Sequence, residues 1–382
     1  MQYRKFGKLD WKASALGFGA MRLPTLDGNP MSQNIDEKES IHMIRYAIDA
    51  GVNYVDTAYP YQGGHSEIVV GKALQDGYRQ KVKLATKSPL WYVKQSQDFD
   101  KFLNEQLIKL QTDHIDFYLF HGLDKQKWDL ILNLNLLEKA EAAIKDGRIG
   151  HIGFSFHDQY ETFREIINGY PDWTFCQIQY NYMDTENQAG MLGLYDAAAR
   201  GLAVIVMEPL LGGKLANPSG SIGELFSQQG KQRTPADWAL QWVWNHPQVS
   251  MVLSGMSTFE QVKENISSAD YSGIDTFDAD DLYFVSEVRR QFESRAVIPC
   301  TRCGYCMPCP NGVNIAGNFE IYNNGIMYDD MQSARTVYSR FMPEDQRAEQ
   351  CVECALCEYS CPQGILISDW LLTVHDSLGN KD

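Results

Sequence analysis

The chain has 382 residues, 44% of them hydrophobic and 22% charged, which supplies a large apolar core and excludes global disorder. Its 34 basic and 49 acidic residues give a formal net charge of -15, so neither nucleic acid nor an anionic membrane is an expected partner. The first residues, Met-Gln-Tyr-Arg-Lys-Phe-Gly, hold no leader-like apolar run and no later stretch is long enough to span a bilayer, so a cytoplasmic protein is expected.

Between about residues 14 and 270, short apolar runs alternate with longer amphipathic ones. In chain order, the predicted strands are Ala15–Gly19, Tyr54–Thr57, Val82–Thr86, Phe117–Phe120, Ile149–Ser155, Phe175–Gln179, Ala203–Met207 and Met251–Ser254. The predicted helices between and after them are Lys38–Ala50, Glu67–Asp76, Asp98–Leu110, Asn133–Asp146, Tyr160–Asn168, Met191–Arg200, Pro235–Asn245 and Phe259–Ile266. Several predicted helices close on Gly, as at Ala50-Gly51 and Asp146-Gly147, a common stop signal. Continuous apolar strands suit parallel pairing buried on both faces. Eight strand–helix units predict a (β/α)8 TIM barrel over residues 1–275, and the absence of a Gly-x-Gly-x-x-Gly run argues against the ordinary dinucleotide fold. A connecting helix is expected over 276–295, then a second domain over 296–382.

That second domain is expected to be ferredoxin-like. Eight of the nine cysteines fall there, as Cys300-x2-Cys303-x2-Cys306-x2-Cys309-Pro310 and Cys351-x2-Cys354-x2-Cys357-x3-Cys361-Pro362. Three thiolates spaced by three can wrap one cubane, and the fourth, beside Pro, can reach the other cluster. Two [4Fe-4S] clusters are therefore expected, one on Cys300, Cys303, Cys306 and Cys361, the other on Cys351, Cys354, Cys357 and Cys309. Zinc is the alternative for such Cys-x2-Cys pairs. Cys176, alone in the first region, reads as a small buried hydrophobe.

The strand ends carry a second signal: Asp56-Thr-Ala-Tyr-Pro-Tyr61, Leu84-Ala-Thr-Lys87, Tyr118-Leu-Phe-His121, Gly153-Phe-Ser155, Gln177-Ile-Gln-Tyr-Asn181 and Glu264-Asn265. In these stretches the chain resembles the aldo/keto reductases, specifically the branch with a ferredoxin-type C-terminal extension. The resemblance implies a catalytic tetrad of Asp56, Tyr61, Lys87 and His121, and use of NADP or NAD. It implies cofactor contacts from Ser155, Gln177, Met207, Pro209, Leu210, Gly255, Ser257, Gln261, Glu264 and Asn265. Phe156, Met207 and Gln261 stand where the family has Asn, Tyr and Arg, so the choice between NADPH and NADH stays open.

The residues also support this chemistry directly. Carbonyl reduction needs a hydride on carbon and a proton on oxygen. Tyr61 can give the proton, Lys87 can stabilise its phenolate, Asp56 can hold Lys87, and His121 can orient and polarise the carbonyl oxygen. Trp91, Tyr92, Tyr59 and Leu123 lie in loops that could line a pocket for an aldehyde, ketone or alcohol. The expected function is nicotinamide-dependent carbonyl reduction, with clusters of structural or electron-transfer role. The competing expectation is an electron-transfer or docking protein on a reductase-like barrel that serves a redox protein partner.

Overall fold

The computed structural model describes residues 1–379. Two short strands, β1 (Tyr3–Lys5) and β2 (Lys12–Ser14), pair antiparallel. The next eight are β3 (Leu16–Gly19), β4 (Tyr54–Asp56), β5 (Lys83–Ser88), β6 (Ile115–Leu123), β7 (Ile149–Phe156), β8 (Phe175–Gln179), β9 (Ala203–Met207) and β10 (Val249–Gly255). They close a parallel barrel in sequence order, with β10 returning to pair with β3.

Side chains along β9 show why the barrel is filled on both faces. Ala203 and Ile205 join one apolar cluster with Phe6, Tyr54, Phe117 and Phe175, while Val204 and Val206 join the larger cluster that includes the helices. This alternation is the period of two expected of a strand, one set pointing into the barrel and the other beneath the helices. Arg4 on β1 is buried, and its guanidinium donates to the carbonyls of Trp244 (2.6 Å), Gly273 (3.0 Å), Val249 (3.2 Å) and His246 (3.5 Å). The first strand is thereby tied to the last part of the barrel.

The plain one-strand, one-helix repeat is not kept. Two helices, Lys125–Asn133 and Leu136–Lys145, follow β6. The chain divides into two compact units, one of Met1–Ala216 with Arg233–Asp278, the other of Asn217–Gln232 with the chain from Ala279 onward. The helix Gly220–Gln228, which follows β9 in sequence, thus belongs with the C-terminal unit.

The C-terminal unit corrects the expected ferredoxin-like domain. Its main elements are the helices Gly220–Gln228, Ala279–Glu293, Ile315–Met327, Met331–Phe341 and Ile367–Leu378, and no described residue from Ala279 onward lies in a strand. Local sequence explains the helices. The Asn314 side chain accepts from the Gly317 N–H and that of Asp330 from the Ser333 N–H, capping two of them. Ile315, Phe319, Tyr338, Ile367, Leu371 and Val374 then form an apolar core with Ile298 and Val313.

The expectation of two [4Fe-4S] clusters is corrected with it. The last cysteine of each run does turn to the other run, Cys361 beside Cys300 and Cys306, and Cys309 beside Cys351. Yet Cys300, Cys303, Cys306, Cys309, Cys351, Cys354, Cys357 and Cys361 are free thiols. Among the described residues no three Cys, His, Asp or Glu side chains form a group able to hold a metal ion. The cluster-based electron-transfer role, and the docking protein built on it, go with that correction. Among the described residues, no helix is long and apolar enough to cross a membrane.

Candidate active site

The four candidate catalytic residues converge at the C-terminal ends of β4, β5 and β6. Asp56 is the last residue of β4, Lys87 stands near the end of β5, and His121 lies near the end of β6. Tyr61 opens a short helical turn after β4, Tyr61–Gly64. That turn is tight: Gln62, Gly63 and Gly64 have φ of 47°, 63° and 90°. The Gln62 side chain secures it by donating to the Leu23 carbonyl at 2.9 Å.

Lys87 is the hub. Its ammonium donates to Asp56 Oδ1 at 2.5 Å, to the Thr57 carbonyl at 2.8 Å and to the Tyr61 hydroxyl at 3.1 Å, so all three protons have acceptors. Lys87 and Asp56 are each 1% exposed. Burial works against a charge on Lys87, but Asp56 and Tyr61 beside it outweigh this and hold its pKa above the ordinary lysine value. Burial pushes the Tyr61 phenol up, and Lys87 pulls it part of the way back. His121 stands edge-on to Tyr61 (ring centroids 5.9 Å apart) and to Trp91 (4.8 Å). Burial, with Lys87 nearby, drives the imidazole pKa well below its usual value, so the ring is neutral. Its Nδ1 is buried with no hydrogen-bond partner, which leaves a polar ring without a task unless a bound molecule meets it.

The candidate cofactor residues form two groups. Ser155 and Gln177 are buried at the ends of β7 and β8. Ser155 Oγ accepts from the Gly122 N–H at 2.7 Å, and Gln177 Nε2 donates to Asp56 Oδ2 at 3.3 Å. Gln177 therefore touches Asp56 of the candidate catalytic set. Met207 ends β9, with Pro209 and Leu210 just beyond. The second group surrounds the helix Phe259–Asp270 and is largely satisfied within itself. There the Ser257 N–H donates to Gln261 Oε1 (2.8 Å), Ser257 Oγ to the Arg22 carbonyl (2.9 Å), Thr234 Oγ1 to Glu264 Oε1 (2.6 Å), and Asn265 Nδ2 to Ser254 Oγ (3.0 Å). Gly255 closes β10 beside them. The first group lies against the candidate catalytic residues through Gln177. In the second, Gln261 occupies the Ser257 N–H and puts no cation there.

One contact was not foreseen from the residue pattern. The Thr57 carbonyl completes the Lys87 site, and a backbone acceptor leaves no mark in a sequence.

The chain is similar to known proteins over the barrel. The sequence model of the aldo/keto reductase family matches residues 15–282. The aldo-keto reductase YhdN of Bacillus subtilis is 33% identical over 227 residues, 53% of this chain and 63% of that protein. The L-galactose dehydrogenase of Arabidopsis thaliana is 28% identical over 291 residues, covering 70% and 88% of the two chains. The holo structure of aldo-keto reductase AKR11C1 from Bacillus halodurans superposes with a TM-score of 0.61 at 26% identity, over 75% of this chain and 96% of that one. The chain belongs to the aldo/keto reductase family and is a NAD(P)-dependent oxidoreductase. A second sequence model, of a 4Fe-4S dicluster domain, matches residues 299–366. That stretch carries both cysteine runs, whose placement is the one described above.

Proposed function

We propose that the protein reduces a small aldehyde or ketone, or oxidises the corresponding alcohol, with Tyr61 carrying the proton. A bound nicotinamide dinucleotide supplies or takes the hydride. Ser155 and Gln177 would hold its carboxamide, Met207, Pro209 and Leu210 would line the ring, and Gly255, Ser257, Gln261, Glu264 and Asn265 would meet the adenosine end. Tyr61 gives its hydroxyl proton to the carbonyl oxygen during reduction and takes it back in oxidation. The Lys87 ammonium stabilises the phenolate left behind, and Asp56 keeps Lys87 charged and in place. Neutral His121 offers one ring N–H to the same carbonyl oxygen and so fixes its direction.

The observation that carries this reading is the 3.1 Å contact from a buried, fully hydrogen-bonded Lys87 to the Tyr61 hydroxyl. Trp91 and Tyr92 are exposed at 52% and 54% and offer aromatic surface to a substrate at this end of the barrel. Both aromatic aldehydes and, given the likeness to L-galactose dehydrogenase, aldoses belong in a first panel. The free cysteines suit a reducing compartment such as the cytoplasm. The test is to follow NADH and NADPH absorbance with that panel, in the wild-type protein and in Tyr61→Phe. Turnover that Tyr61→Phe leaves intact would overturn the assignment.

A further inference from the structure

Behind the catalytic lysine lies a second set of buried polar side chains that the proposed chemistry does not use. Glu67, Thr86 and Gln106 are each 0% exposed. Glu67 Oε1 accepts from Thr86 Oγ1 at 2.7 Å and from Gln106 Nε2 at 2.6 Å, and Lys109 donates to Glu67 Oε2 at 3.3 Å. Gln106 Nε2 also lies 3.0 Å from the Lys87 carbonyl, and Gln106 Oε1 accepts from the Tyr118 hydroxyl at 2.7 Å. Burying a carboxylate is costly, and this one is retained with every near partner arranged around it.

The connections show what the set holds. Glu67 sits in the first turn of the helix Ser66–Ala73, on the segment that has just delivered Tyr61. Its neighbour Ser66 pairs with Thr57 Oγ1 at 2.9 Å and donates to the Ala20 carbonyl at 2.7 Å. Thr57 is the residue whose carbonyl takes a proton of Lys87. Thr86 directly precedes Lys87 on β5, and Gln106 reaches Lys87 itself from the helix Asp98–Leu110. Two adjacent residues of one helix turn therefore clamp the ends of β4 and β5, the strands that supply Asp56 and Lys87. Tyr61 is fixed on the same segment by Gln62 on one side and by Ser66 and Glu67 on the other.

We infer that Glu67 and Gln106 are positioning residues that set the Lys87–Tyr61 separation on which proton transfer depends. The inference rests on the proposed role of Tyr61 and Lys87, and neither Glu67 nor Gln106 touches the reacting atoms. Misplacing a catalytic group by about 1 Å can cost roughly 10²-fold in rate. Glu67→Ala removes the acceptor that Thr86 and Gln106 share. Glu67→Gln keeps an acceptor oxygen of the same reach while removing the charge. Gln106→Leu frees the Lys87 carbonyl and removes one donor to Glu67 while leaving the helix Ser66–Ala73 itself unsubstituted, and serves if Glu67→Ala does not fold.

The experiment measures kcat against pH, dinucleotide Kd by fluorescence quenching, and a crystal structure of each folded variant. Glu67→Ala or Gln106→Leu should lower kcat by about 10²-fold and leave dinucleotide Kd within about twofold. The alkaline limb should move to higher pH, because a Tyr61 phenol farther from Lys87 loses its cationic neighbour. The Lys87 Nζ to Tyr61 hydroxyl distance, 3.1 Å here, should open beyond hydrogen-bond reach, and Glu67→Gln should recover most of the rate. The inference is overturned if the alkaline limb stays put while kcat falls, if Glu67→Gln is as impaired as Glu67→Ala, or if the separation is unchanged in the variant crystals. An absence of carbonyl turnover in the wild-type protein would instead count against the proposed function, and the crystallographic distance would still decide the positioning role.

Discussion

Lys87 and Tyr61 make opposite demands on a buried site. The phenol is stabilised as a neutral group by burial, whereas the ammonium needs three acceptors to remain charged there. Tyr61→Phe removes the proton but leaves the aromatic ring, so kcat should fall by about 10²- to 10⁴-fold with dinucleotide binding nearly unchanged. Stopped-flow rates with a carbonyl substrate, beside equilibrium titration of the dinucleotide, check both halves. Lys87→Met should give a similar loss. Its sign with pH follows from the causes already given: burial raises the Tyr61 pKa and Lys87 lowers it, so without Lys87 the phenol loses its proton only at higher pH. The alkaline limb of kcat should shift upward, and a limb that moves to lower pH would contradict the arrangement. At the second group of proposed cofactor residues, Gln261→Arg places a guanidinium where Gln261 now accepts from the Ser257 N–H. It should tighten NADPH relative to NADH, because a guanidinium pairs with a phosphate in a way an amide cannot. Equal changes for the two dinucleotides would show that the side chain faces away from the 2′-phosphate.

Strand ends and strand spacing govern the next scale. Asp116, near the start of β6, accepts from Arg79 (2.8 Å), Lys83 (2.8 Å) and the Leu84 N–H (3.0 Å). Burial raises its pKa, but the Lys83 hydrogen bond, the Leu84 N–H and Arg79 outweigh this and leave it lowered. A carboxyl lowered in the folded state stabilises above its unfolded pKa of about 3.9 and loses that contribution as pH falls through the folded value. Asp116→Asn should therefore cost about 2 kcal/mol at neutral pH, and its gap to the wild-type protein should close only below about pH 4. Urea unfolding at several pH values measures this directly. Gly153 on β7 faces Phe175 on β8, and a Cβ there would lie 2.4 Å from the Phe175 carbonyl oxygen. Gly153→Ala should destabilise the barrel by roughly 2 kcal/mol, read as a lower urea midpoint with an unchanged slope.

The same scale shows which elements were legible in the sequence. Ala203–Met207 is an uninterrupted apolar run, Phe175–Gln179 an apolar run broken by Gln177, and both are strands with the expected bounds. The candidate set Asp56, Tyr61, Lys87 and His121 was legible through the motifs that resemble the aldo/keto reductases, and three of its members stand where a predicted strand ends. The first hairpin escaped notice because strands of three residues, Tyr3–Lys5 and Lys12–Ser14, carry too little periodicity to register. Glu67 escaped for a different reason. A charged residue in a helical pattern reads as solvated, and only Thr86, Gln106 and Lys109, brought in from other elements, make it a buried hub. In the C-terminal unit the cysteine spacing overshadowed a helical pattern whose apolar faces pack on each other.

On the scale of the whole molecule, a cut at the end of the predicted barrel would not be clean. Ile222 and Phe226, in the helix Gly220–Gln228, are buried, and Phe226 lies edge-on to Phe284 of the helix Ala279–Glu293 at 5.3 Å between ring centroids. A chain ending at residue 278 keeps the first helix and loses its partner. It should expose apolar surface worth about 1.5–3 kcal/mol for each such side chain. Higher dye binding and a lower melting temperature than a chain ending at residue 294 would show this. Similar behaviour of the two truncated chains would show that the helix Gly220–Gln228 finds cover elsewhere.

The pairing of β3 with β10, Leu16 opposite Val252, also dictates a timetable on the ribosome. One edge of β3 has no strand to bond until Val249–Gly255 has been translated and has left the exit tunnel, and the Arg4 side chain waits for carbonyl acceptors from the same late stretch. The nascent barrel is thus an open sheet with an apolar edge for most of its synthesis, a state prone to association and suited to chaperone capture. Nascent chains arrested before β10 emerges should be digested readily by a protease, and those arrested well after it should resist, with closure arriving as one late step rather than strand by strand.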